Sequence, residues 1–79
     1  MARVRLFGPA REAAGRGSDD IGGASLADVL AEAERRFGPS FADVLAHSKV
    51  WVNGNEADRS AAVTDGDEVA VLPPVSGGC

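Results

Sequence analysis

The 79-residue sequence has one cysteine, Cys79, and one histidine, His47. A lone cysteine forms no internal disulfide, and one His and one Cys at unrelated positions assemble no metal cluster. No apolar run is long enough to span a membrane, and no signal-peptide pattern opens the chain. These absences predict a cytoplasmic protein that meets no membrane. Positive charge is also short: 8 Lys and Arg stand against 12 Asp and Glu, for a net charge of −4. Nucleic-acid binding needs a basic footprint, so that class is excluded. The glycines form no phosphate loop, because no Gly-Lys-Ser/Thr run accompanies them. No nucleophile, base and oxyanion donor can be assembled into a constellation, which argues against an enzyme in its own right.

What remains is one small domain with a 44% hydrophobic fraction, enough for a compact core of modest stability. Up to Arg36 acids and bases cancel. Beyond it only Lys49 and Arg59 oppose Asp43, Glu56, Asp58, Asp65, Asp67 and Glu68, so the second half carries the whole net charge. That favours a partner with a basic patch, although acidity also serves solubility.

Along the chain, "ARVRLF" alternates, with Val4 and Leu6 on one face and Arg3 and Arg5 on the other, as a half-buried strand does. Ala10 to Ala14 form a turn of helix between loop flanks, and a short strand centres on Ile21. The strongest element is "SLADVLAEAERRFGP". Leu26, Val29, Leu30, Ala33 and Phe37 make one apolar stripe, Ser25 caps its start, and Asp28 completes a capping-box-like end. Glu32 and Arg36 pair four residues apart, and Gly38-Pro39 stops the helix. A second short helix begins with Ser40 as cap and turns Phe41, Val44 and Leu45 inward.

"KVWVNGNEAD" alternates and then turns at Asn53-Gly54, a strong hairpin signal. Asp65 and Asp67 flank Gly66 in a further hairpin turn. The last strand is apolar on both faces, with Val69 and Val71 on one and Ala70 and Leu72 on the other, which predicts a central position. Pro73 and Pro74 end its pairing. One amphipathic helix on one mixed sheet is the α+β architecture these elements imply.

The domain spans residues 1–74, and residues 75–79 form a flexible C-terminal tail. Pro73-Pro74 stiffens the tail's base. Val75, Ser76, Gly77 and Gly78 then make a thin arm suited to threading a narrow channel, since glycine carries no Cβ to clash. An exposed glycine carboxylate is also an unhindered substrate for activation. A frayed terminus would have the same thinness, but the succession of buried-type strand, two prolines and two glycines argues for function.

"DGDEVAVLPPVSGG", with "VWVNGNEA" before it and "ARVRLFGPAREAAG" at the start, resembles the MoaD/ThiS sulfur carriers over essentially the whole chain. The resemblance implies a ubiquitin-like β-grasp fold, a mixed four- to five-stranded sheet packed on one main helix. It implies a protein co-substrate with no bound cofactor. An E1-like enzyme using ATP and magnesium adenylates Gly78, a sulfur donor converts it to a thiocarboxylate, and a sulfur-accepting synthase subunit receives the sulfur. Gly77 is the adjoining tail glycine. "PPVSGG" is most similar to the small subunit of molybdopterin synthase, which implies molybdenum cofactor biosynthesis. Carriers for thiamine, cysteine and sulfur-containing natural products share the fold and tail, and a ubiquitin-like protein modifier or plain interaction module is the alternative from another class.

Cys79 departs from the family pattern, because it locks the Gly78 carboxyl in an amide. Removal by a metalloprotease, an origin outside the natural gene, and thiol chemistry of Cys79 itself rank in that order. For docking, Phe7 and Trp51 point away from the inner faces of their strands and either form an apolar patch or cover the sheet's rim. Asp65 and Glu68 are the acidic docking candidates, and Pro73 and Pro74 form the tail's base.

Overall fold

The structure, a computed structural model, describes residues 1–73. Its elements run β1 (Ala2–Leu6), α1 (Gly8–Ala14), β2 (Ser18–Ile21), α2 (Leu26–Phe37), α3 (Pro39–Ala46), β3 (Lys49–Val52), β4 (Asn55–Glu56) and β5 (Glu68–Leu72). One mixed sheet has the order β2-β1-β5-β3-β4, with β1 and β5 parallel and the other pairs antiparallel. This is the expected β-grasp. β5 lies between β1 and β3, the central position expected of it, with its Val69 and Val71 face buried and its Ala70 and Leu72 face half-buried.

The sheet's inner face presents Ala2, Val4, Leu6, Ile21, Val50, Val69 and Val71 to Leu26, Val29, Leu30 and Ala33 of α2 and Phe41 and Leu45 of α3. All of these are buried. Among the described residues no polar or charged residue is buried. Phe37 and Phe41 meet edge to face with ring centroids 5.1 Å apart, fastening α2 to α3.

The caps explain the helix boundaries. The Asp28 amide donates to Ser25 Oγ at 3.2 Å, and Gly38 turns the chain out of α2 at φ 95°. The remaining donors of the first turn of α2 are met by a loop: Leu26 N–H donates to the Ala61 carbonyl and Ala27 N–H to the Arg59 carbonyl, both at 2.9 Å. At the other end Arg36 gives Nε to Glu32 Oε2 at 3.0 Å and Nη1 to the Asp20 carbonyl at 3.0 Å, tying α2 to the edge strand β2.

Three local expectations need correction. α1 begins at Gly8, not Ala10, because Pro9 fits the first turn of a helix and Gly15 closes it in the left-handed region at φ 76°. α3 begins at Pro39 with Gly38 as its cap, so Ser40 lies inside the helix, and Val44 is only half-buried. The turn around Gly66 is a β-turn, with Asp67 N–H donating to the Thr64 carbonyl at 3.1 Å. It joins no hairpin, since the neighbours of β5 are β1 and β3. Asn53-Gly54 does form a hairpin, and both residues have positive φ, 52° and 85°, as a type I′ turn requires.

Candidate functional site

Among the described residues the helices cover one face of the sheet and leave the other open. Register defines that outer face. Arg5 of β1 stands beside Ala70 of β5, which faces Trp51 of β3, which faces Glu56 of β4. In the next rows Arg3 stands beside Glu68, and Leu72 faces Lys49. Ion pairs balance the charges of this face: Arg3 Nε to Asp20 Oδ1 at 2.8 Å, Arg5 Nε to Glu68 Oε2 at 2.9 Å, and Lys49 Nζ to Glu56 Oε2 at 3.3 Å.

Where β5 ends, the face becomes apolar. Lys49, Trp51, Glu56, Leu72 and Pro73 line an open groove of about 400 Å³. Trp51, Leu72 and Pro73 are its apolar lining, and Lys49 and Glu56, joined by their ion pair, are its charged lining. At the same end the Phe7 amide donates to the Val71 carbonyl at 3.2 Å, which places Phe7 beside the end of β5. Phe7 lies just past β1, is 40% exposed, and starts α1 without a side-chain cap. Gly8 stands across from Pro73 with room for one carbon between them: a Cβ at Gly8 would lie 3.5 Å from Pro73 Cγ, an ordinary contact distance. The last described residue is therefore flanked by the start of α1 on one side and the groove on the other.

Of the docking residues expected from sequence, Trp51 and Pro73 share the groove, and Phe7 stands at the same end of the sheet. Glu68 lies at the opposite end of β5, paired with Arg5. Asp65 lies beyond it, 93% exposed, with a carboxylate oxygen on the Met1 ammonium. The structure does not bring these two acids to the groove. Pro74, Val75, Ser76, Gly77, Gly78 and Cys79, with the domain boundary at 74 and the tail over 75–79, lie outside the described residues. The groove adds Lys49, Glu56 and Leu72. Alternation offered a signal for two of them, since Lys49 shares the face of Trp51 and Leu72 that of Ala70; Glu56 needed the hairpin register.

The acidic turn has its own geometry. Asp67 Oδ2 accepts from the Thr64 amide at 2.9 Å and from Thr64 Oγ1 at 3.2 Å, while Oδ1 accepts from Asn53 Nδ2 at 3.1 Å. The Thr64 amide, and after it the Asn53 side chain, hold the Asp67 carboxyl below the ordinary aspartate value. These bonds join the β3–β4 hairpin to the turn that enters β5. His47 is exposed at the end of α3, with Nδ1 3.1 Å from the Asp43 carbonyl, a local bond at a helix end. Among the described residues no three His, Cys, Asp or Glu side chains converge as metal ligands, and no helix is long and apolar enough to cross a membrane.

Comparison with known proteins gives the surface a context. The model of the ThiS family matches residues 4–78. The crystal structure of small archaeal modifier protein 1 from Haloferax volcanii is 32% identical, covers 98% of each chain and superposes with a TM-score of 0.79. A chain of the Amycolatopsis orientalis BexX/CysO complex is 25% identical over 99% of this chain and 100% of that one, with a TM-score of 0.81. A chain of the complex between subunits 1 and 2 of the molybdopterin-converting factor from Helicobacter pylori is 26% identical over 98% and 97%, with a TM-score of 0.74. Two of these three similar folds were solved against a partner protein.

Proposed function

This chain belongs to the ThiS family of ubiquitin-like sulfur carriers, and from that premise we propose that it is a protein co-substrate that carries sulfur on Gly78. The observation that supports the reading is the placement of the tail's root. The chain leaves the sheet from its central strand, β5, beside an apolar groove on the face that the helices leave open. A partner seated on Trp51 and Leu72 would meet the tail at its base and receive it into its own active site.

The chemistry belongs to Gly78 and to enzymes that act on it. Cys79 is first removed by a metalloprotease, which frees the Gly78 carboxylate. That carboxylate attacks the α-phosphorus of ATP on an E1-like enzyme, and pyrophosphate leaves, with magnesium on the activating enzyme offsetting phosphate charge. A sulfur donor then displaces AMP and leaves a thiocarboxylate. A synthase subunit takes the sulfur, and the carrier returns to the cycle. Molybdenum cofactor synthesis is the pathway the "PPVSGG" tail favours, and the similarity to a molybdopterin-converting factor subunit supports it. This chain contributes recognition and the reactive glycine.

The test is the intact mass of the protein from its native cells. Loss of the cysteine residue with oxygen-to-sulfur exchange at Gly78 supports the carrier. A chain truncated after Gly77 that still sustains sulfur transfer refutes it. The similarity to a small archaeal modifier protein favours a second reading, attachment of Gly78 to lysines of other proteins. An isopeptide adduct in place of the thiocarboxylate decides for that reading.

A further inference from the structure

The Asn53-Gly54 turn carries a reactivity that the docking face does not use. Asn followed by Gly is the pairing most prone to losing ammonia. The Gly54 backbone nitrogen attacks Asn53 Cγ, the Cγ–Nδ2 bond breaks, and ammonia leaves with the amide proton. Water then opens the resulting succinimide at either carbonyl, to aspartate or isoaspartate. No redox partner is needed. Gly54 has no side chain to crowd the ring, and both residues are exposed to the water the second step consumes.

The native contacts oppose the first step. Asn53 Oδ1 accepts from the Glu68 amide at 2.9 Å, and Nδ2 donates to Asp67 Oδ1 at 3.1 Å. Asp67 is itself held from its other oxygen by Thr64. Both ends of the Asn53 amide are therefore fixed, and its Cγ is not free to rotate onto the Gly54 nitrogen. We propose that Asn53 is a latent deamidation site, kept intact in the folded chain by the clamp that Asp67 and the Glu68 amide form on its side chain.

Conversion has consequences at the groove. An aspartate at 53 sets a carboxylate against the Asp67 carboxylate in place of a donor. An isoaspartate adds a methylene to the backbone of a two-residue turn whose register sets Trp51 opposite Glu56. A carrier that is recharged and used again would accumulate such damage over its lifetime, so the clamp has a use on that reading, but the chemistry stands whatever the tail carries.

The test follows ammonia loss by intact mass and peptide mapping during mildly alkaline incubation. The subjects are the full chain, the peptide of residues 49–58, and the Asp67→Ala and Asp65→Ala chains. The chain has no glutamine and only two asparagines, Asn53 and Asn55, so the signal has two possible origins, and Asn55, which precedes Glu56, is an internal control. The expected result is conversion at Asn53 in the peptide at least about tenfold faster than in the full chain, the factor that two side-chain hydrogen bonds of ordinary net strength supply. Asp67→Ala shortens that gap with Trp51 fluorescence still native, and Asp65→Ala behaves as the parent chain. Equal rates in peptide and full chain overturn the proposal without recourse to a variant. An Asp67→Ala chain that is folded yet converts as slowly as the parent overturns the role of Asp67.

Discussion

Asp67 accepts three hydrogen bonds from two residues in different parts of the chain, and its carboxyl is held below the ordinary aspartate value. A group whose folded pKa is depressed contributes stability that is fully present above its unfolded pKa. That contribution disappears as pH falls through the folded value. The window therefore starts at the ordinary aspartate value of about 3.9 and extends downward. Glu32, held low by Arg35 and Arg36, acts with the same sign, so the parent chain has more than one source of acid sensitivity. Asp67→Asn isolates one of them. Urea midpoints of parent and variant should differ most near neutrality and converge in acid; parallel curves would show that the Asp67 contacts carry no proton linkage. Sequence alone identified Asp67 as a turn residue and stopped there, because its partner Asn53 is fourteen positions away and comes near only when β3 pairs with β5.

Elements were legible in proportion to how much of their stabilisation is local. α2 has its cap, its stripe and its stop written within fifteen residues, and the structure follows each. β1 and β3 show the alternation that a sheet face imposes, and β5 was read from a continuous apolar run between a turn and two prolines. α1 and α3 were only half legible, since each starts at a Gly-Pro pair that reads equally as loop. What sets the start of α1 is the Phe7 amide's bond to the Val71 carbonyl, distant in sequence, while Gly8 itself takes a left-handed φ of 55° before Pro9. The same reasoning gives two predictions. Phe41 is fully buried, at the junction of α2 and α3. Phe41→Ala should cost about 3–5 kcal/mol, a large share of what a small domain holds, and urea unfolding reads it directly. Gly8 has φ +55° and room for a Cβ at ordinary contact distance from Pro73. Gly8→Ala should therefore cost about 1–2 kcal/mol from left-handed backbone strain, with no clash to relieve. A loss several times larger would mean that Pro73 is pressed against Gly8 more tightly than the structure has it.

At the scale of the whole molecule, charge and contact separate. The chain carries −4, yet the open face of the sheet is balanced by its three ion pairs, and the groove beside Pro73 has Trp51 and Leu72 in its lining. Asp65 stands beyond the far end of β5, on the Met1 ammonium. The second half of the sequence showed the acidity but not this division, because only the sheet's register says which acids have partners. Charges at the rim of an interface act through diffusional encounter, whereas desolvated aromatic anchors act on dissociation. Asp65→Lys, which shifts the net charge from −4 to −2, should slow association with the activating enzyme proposed above and flatten its salt dependence, while leaving the dissociation rate as it was. Trp51→Ala should do the reverse: association nearly unchanged, and dissociation faster by the tenfold or more that loss of an anchor of about 2 kcal/mol implies. Rapid-mixing kinetics at two ionic strengths distinguishes the two effects. If Asp65→Lys instead speeds dissociation, the acidic end of β5 is itself in the contact, and the partner spans the full length of the sheet from the Gly66 turn to Pro73. If Trp51→Ala leaves both rates alone, the partner does not use the groove, and the tail alone must carry recognition.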